Sequence, residues 1–167
     1  MKEYHKIQTI YKRDPDTKFR TLLIGDYSLP EFEYLANNEW AWTEKVDGTN
    51  IRVMWDGETV TFGGKTDNAQ IPTHLAVVLY EKFTPEKMLE QFGDEGGVCL
   101  YGEGYGMKIQ KPGPRYISDS SDFILFDCRV GPWWLDRDSL MDISINLEIC
   151  IENLCRATTA LLCNRIK

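Results

Sequence analysis

Lys45-Val46-Asp47-Gly48-Thr49-Asn50 brings a lysine, a carboxylate and an amide together within one short stretch. An ammonium held at the end of an apolar strand is partly desolvated, which favours the neutral, nucleophilic amine. Such an amine can attack phosphorus and form a covalent lysyl-nucleotide. A simpler reading fits the same residues. Asp-Gly between two alternating strands is a hairpin signal, and a lysine beside it is commonly a solvated surface charge. On this stretch alone both readings stand.

Further segments carry suggestive residue types. Phe62-Gly63-Gly64-Lys65-Thr66 superficially resembles a phosphate-binding P-loop, but that loop needs glycine at position 59, where threonine stands. It also needs a helix directly after, whereas 67–72 reads as loop. The P-loop reading is rejected. Tyr101-Gly102-Glu103-Gly104-Tyr105-Gly106 sets a carboxylate at the end of an apolar strand between glycines, which let a ligand approach the backbone. Its spacing is not a dinucleotide fingerprint, and a glycine-rich turn explains it equally. Lys108-Ile109-Gln110-Lys111 follows directly. In Phe123-Ile124-Leu125-Phe126-Asp127 an aromatic precedes an acid on an apolar strand, and by periodicity Phe126 is ordinary core.

The elements that must position these residues are legible as alternation and punctuation. Strands are expected over 40–46, 50–56, 58–63, 98–103 and 123–130, with Asp56-Gly57 as a second hairpin turn. Helices are expected over 73–83 and 85–92, the second capped by Thr84 with Pro85 in its first turn. Residues 107–122, with Pro112, Gly113 and Pro114, read as irregular loop. Ser139-x-x-Asp142 resembles a capping box, followed by Leu140, Ile143, Leu147, Ile151 and Leu154 at helical spacing. The expected class is α+β with adjacent antiparallel strands, as one domain over 1–167.

Composition bounds the rest. The 167 residues are 43% apolar and 27% charged, enough for one domain with a real core. No run has the length of a membrane-spanning helix, and Met1 to Lys6 lacks the apolar core of a signal peptide. The expectation is an intracellular, cytoplasmic protein without a membrane partner. Five cysteines, an odd number with no Cys-x-x-Cys pair, argue against a disulfide framework or a zinc site. A net charge of −7 argues against non-specific nucleic-acid binding. Cations nonetheless concentrate at Lys2, Lys6, Lys12, Arg13, Lys18 and Arg20, and again at Lys108, Lys111 and Arg115. Either group lines a phosphate groove or is simply a solvated face.

Taken in order, these segments resemble the covalent nucleotidyltransferases, specifically the RNA ligase 2-like RNA ligases of phages and bacteria. Lys45-Val-Asp47-Gly48-Thr-Asn50 matches the nucleophile motif, and Asn50 favours RNA ligases over DNA ligases and capping enzymes, which carry arginine there. The segments beginning at Phe62, Tyr101 and Phe123 resemble the motifs that follow, over roughly 1–140. The resemblance implies an antiparallel-sheet nucleotidyltransferase domain of the ATP-dependent ligase type. It implies Lys45 as the nucleophile on the ATP α-phosphorus, giving lysyl-AMP, with Asp47 and Asn50 serving the steps around it. Glu44 would read the adenine, Phe126 would stack on it, Glu103 would hold the ribose or a metal-bound water, and Lys65 would contact phosphate or ribose. ATP and Mg2+ would be required, and AMP would pass to an RNA 5′-phosphate before joining to a 3′-hydroxyl.

Two departures from the pattern matter. The family usually carries arginine where Lys65 stands, and lysine lacks the planar two-pronged fork. The later Glu-Gly strand motif and Lys-x-Lys motif are not found, and 141–167 is atypical, with Asn164-Arg-Ile-Lys167 only faintly similar to the approach to the last motif. The expectation is a C-terminally incomplete domain, weak in overall sealing and open to self-association through an unfinished sheet. The rival expectations are a non-catalytic nucleotide- or RNA-binding remnant and a nucleotidyltransferase of the DNA ligase or capping type.

Overall fold

A computed structural model describes residues 3–152 and the backbone of 154–158. In chain order the first elements are β1 (Tyr11–Arg13), a 3-10 turn (Pro15–Thr17), β2 (Leu22–Tyr27), α1 (Pro30–Tyr34) and β3 (Glu39–Thr43). Next come β4 (Thr49–Trp55), β5 (Val60–Gly63), α2 (Thr73–Lys82), α3 (Pro85–Phe92), β6 (Val98–Gly106) and α4 (Gly113–Tyr116). The remainder is β7 (Ser121–Val130), β8 (Trp133–Trp134), α5 (Arg137–Asn146), β9 (Cys150–Ile151) and β10 (Leu154–Thr158).

The chain divides into two compact units. One comprises the described parts of 1–4 and 44–153; the other comprises those of 5–43 and 154–167. The first is built on a sheet in the order β5-β4-β6-β7-β8, with β9 added in parallel to β7. All other pairings in that sheet are antiparallel. The second unit holds two two-stranded pairings, β1 with β2 and β3 with β10.

Alternation along β4 explains the core of the first unit. Ile51, Val53 and Trp55 point to one face and are buried with Leu75 and Leu79 of α2, Met88 of α3, and Leu140 and Ile143 of α5. Each such side chain contributes about 1.5–3 kcal/mol by leaving water. Phe83 meets Phe123 edge to face at 5.2 Å, joining the end of α2 to β7. No helix among the described residues is long and apolar enough to cross a membrane.

Most expected elements appear within a residue or two. The Asp56-Gly57 turn forms, with the amides of Glu58 and Thr59 donating to Asp56 Oδ1. Four expectations are corrected. First, the strand before Lys45 stops at Thr43, and β3 pairs with β10 rather than β4, so Asp47-Gly48 is no hairpin turn. Second, Asp136, not Ser139, caps α5: its carboxylate accepts from the Ser139 amide at 2.9 Å. Third, α5 ends at Asn146 because Glu148 takes a left-handed conformation (φ 55°), which moves Ile151 into β9 and 154 into β10. Fourth, the loop over 107–122 contains the short helix α4. Lys2, Cys163 and Asn164 to Lys167 lie outside the described residues.

Candidate functional site

β4 presents Ile51, Val53 and Trp55 to the core, so Asn50, Arg52 and Met54 share its other face. Register then decides what stands beside them. Asn50 opposes Glu103 and Arg52 opposes Tyr101 on β6. The turn carrying Lys45 closes onto this face. Gly48 donates its amide to Glu103 Oε1 at 3.1 Å. A side chain at 48 would meet the Gly104 carbonyl oxygen at 2.1 Å, so only glycine lets the turn lie this close to β6.

Glu103 is half-buried at the centre of this arrangement. Burial raises its pKa above the ordinary value, and the neighbouring charges of Asp47 and Glu152 push the same way. The Lys45 ammonium and the Gly48 amide act in opposition. Lys45, Asp47 and Glu103 are therefore close enough to act on one another electrostatically. Lys45 itself is exposed, against the expectation of a partly desolvated amine. The physical reason is the early end of β3: Lys45 stands in an open loop, not on a strand. The Asp47 amide donates to the Tyr116 hydroxyl of α4 at 3.3 Å, which braces that loop.

Phe126 stands on β7 where the register slips. Tyr101 opposes Asp127 and Gly102 opposes Leu125, leaving Phe126 as the extra residue of a bulge. Bulges re-aim side chains, and Phe126 is half-buried instead of core. Tyr4 meets it edge to face at 5.0 Å and also contacts Tyr101 and Trp134. The Tyr4 hydroxyl donates to Asp127 Oδ2 at 3.1 Å. Burial, then the Asp127 charge, hold that phenol protonated well above its usual range. Tyr4 was not expected, because a single tyrosine in a charged N-terminal run forms no local pattern.

Lys65 lies in an exposed loop after β5. Arg52 holds that loop. Its Nε donates to the Gly64 carbonyl at 2.8 Å and its Nη2 donates to Asp67 Oδ1 at 2.8 Å. Arg52 is fully buried. It too escaped the sequence reading, since a charge between Ile51 and Val53 looks like ordinary outward alternation. The hydrogen bond and charge of Arg52 hold the Asp67 carboxyl below the usual carboxylate range.

The structure thus brings together Lys45, Asp47, Asn50 and Glu103, places Phe126 two strands from β4, and leaves Lys65 exposed in the loop that Arg52 holds through Gly64 and Asp67. Glu44 is exposed beside Lys45 in the chain. Lys108, Lys111 and Arg115 are all exposed. Among the described residues no three His, Cys, Asp or Glu side chains cluster as a metal cage. Asp47 and Glu103 are the two carboxylates at the Lys45 turn: Glu103 accepts from the Gly48 amide, and the Asp47 charge acts on it.

Comparison with known proteins bears on the family and the fold. Residues 38–154 match the family model described as RNA ligase. Among curated proteins none matches the chain. Solved structures of the Naegleria gruberi RNA ligase share the fold. A mutant with AMP and Mn superposes with a TM-score of 0.62 at 16% identity, covering 77% of this chain and 40% of that one. The same ligase with PPi gives 0.60 at 19% identity, again covering 77% and 40%. A mutant with ATP and Mn gives 0.60 at 18%, covering 77% and 39%. The chain therefore spans about 40% of the length of the structures it matches.

Proposed function

The chain belongs to the RNA ligase family, and from that premise we propose that it forms a lysyl-AMP at Lys45 from ATP. The observation that carries this reading is the closure of the Lys45 turn onto β6, with Gly48 bonded to Glu103 beside Asn50. In the proposed reaction the Lys45 amine attacks the α-phosphorus of ATP. The new N–P bond forms as the bond to pyrophosphate breaks, and the lysine gives up a proton. Lys45 is exposed, and a bound nucleotide would cover it and desolvate the amine.

Other residues bind and orient. Phe126, at the bulge of β7 and met edge to face by Tyr4, stacks on the adenine. Glu44 contacts the adenine edge, and Lys65 the phosphates or ribose. Glu103 fixes the turn through Gly48 and holds the ribose or a metal-bound water. Asp47 and Asn50 serve the transfer of AMP to an RNA 5′-phosphate, where a 3′-hydroxyl would then displace AMP. A bound Mg2+ would supply charge neutralisation of the triphosphate. Residues 1–167 act as one nucleotidyltransferase-like domain in this reading, in the cytoplasm, able to self-associate through an incomplete sheet.

The test is label transfer. [α-32P]ATP should label the polypeptide and [γ-32P]ATP should not, with ATP preferred over GTP. A nicked RNA duplex then reports AMP transfer and sealing, which we expect to be weak. Binding of ATP with no covalent label would favour a non-catalytic nucleotide-binding role, for which Lys65 in place of the usual arginine speaks. Preference for GTP or for nicked DNA would favour the capping or DNA ligase type.

A further inference from the structure

Arg52 is the fully buried cation on the face of β4 that carries Asn50, and its guanidinium reaches out of the sheet to the loop after β5. Burying a guanidinium costs several kcal/mol unless every prong is paired in good geometry. Here two prongs are spent on one loop. One binds the Gly64 carbonyl and the other the Asp67 carboxylate, both at 2.8 Å. Lys65 sits between those two anchor points. The Asp67 side chain is 78% exposed, so the acid comes in from solvent to meet a fully buried arginine. The loop is closed on itself at Gly64, where a Cβ would meet the Ala69 Cβ at 2.7 Å, while the Asn50 carbonyl oxygen of β4 lies at an ordinary 3.7 Å. Core packing alone needs no such bridge, because Ile51 and Val53 already anchor β4 from its other face.

We propose that Arg52 is a positioning residue for nucleotide binding, fixing the backbone on both sides of Lys65 so that its ammonium meets the substrate's phosphates. This rests on the lysyl-AMP reading above. It also accounts for a lysine at 65. A single point charge gives little directional control, so the direction is supplied by the loop, and the loop is held by a fork. Lysine at 52 would keep the charge but could not bind Gly64 and Asp67 together in the same geometry.

The test is the initial rate of AMP labelling against ATP concentration for wild type, Arg52→Lys, Lys65→Ala and the double variant, with a melting curve for each. Arg52→Lys should raise the half-saturating ATP concentration about tenfold, more than it lowers the maximal rate. Lys65→Ala should do the same. The double variant should be no worse than the poorer single one, because both losses pass through one contact. Asp67→Asn, at an exposed position, keeps the core intact should Arg52→Lys fail to fold, and should raise half-saturation about threefold. Folded Arg52→Lys or Asp67→Asn protein with wild-type ATP dependence would overturn the proposal. So would losses at 52 and 65 that multiply. No label on wild type would overturn the parent reading, and this one with it.

Discussion

At Glu103 two forces act in opposite directions. Burial drives the carboxyl toward its neutral form, while Lys45 and the Gly48 amide favour the charged one, and burial prevails. A carboxyl whose folded pKa lies above its ordinary value of 4.5 lowers stability as pH rises through the folded pKa. Below the ordinary value both states are protonated and the cost is absent. Glu103→Gln keeps an oxygen for Gly48 but no charge. Its melting temperature should equal or exceed wild type at pH 7, and the difference should vanish as pH falls to the ordinary carboxylate range. Labelling should fall at least tenfold, since the ribose or metal contact is lost. Thermal melts across pH and label assays check both halves. Phe126→Ala tests the adenine contact separately. Base stacking on an aromatic is worth about 1–3 kcal/mol, so half-saturating ATP should rise roughly tenfold, with Tyr restoring it and Leu failing to. Lys45, Glu103 and Phe126 were legible as candidates because four motifs stand in order along the chain. Tyr4 and Arg52 were not, because each acquires meaning only across the sheet, by contact with residues far away in sequence.

Elements explain why these residues meet. β6 is the shared partner: it receives β4 on one side and β7 on the other. Gly102 permits that closeness on its own strand, where a Cβ would meet the Phe123 ring at 2.1 Å and the Ile124 carbonyl at 2.5 Å. Gly102→Ala should therefore destabilise by about 3 kcal/mol or more, read as a lower denaturant midpoint, because backbone cannot move aside as a side-chain tip can. Leu79→Ala on α2 leaves a cavity under the sheet and should cost about 2–5 kcal/mol, without altering the ATP dependence of the protein that remains folded. Periodicity and turn residues located β4, β5, α2 and α3 well, since hydrophobic alternation and caps are local signals. The Lys45 turn was misread as a hairpin because Asp-Gly marks a turn without naming the partner strand. β10, far along the chain, is what β3 pairs with. The end of α5 was overrun for a similar reason: Ile151 keeps helical spacing, yet a left-handed Glu148 turns the chain into β9.

At the scale of the whole molecule, charge sets the terms of substrate binding. A chain of net charge −7 repels nucleotide and RNA unless cations are gathered locally. Lys45, Lys65, Lys108, Lys111 and Arg115 are exposed and are the cations the proposed reading would use. Binding of a 5′-phosphorylated RNA should be weak and should fall steeply with salt. Chelating divalent cations should abolish labelling, with Mg2+ restoring it, as charge neutralisation of the triphosphate requires. Both effects depend on covalent chemistry at Lys45, which a single experiment can detect. It is the intact mass of the protein after incubation with ATP and Mg2+, beside Lys45→Ala, with peptide mapping of any product. The expected result is a gain of one AMP at Lys45 that is absent from the variant. A folded wild-type protein that gains no AMP, or gains it at a residue other than Lys45, would contradict it.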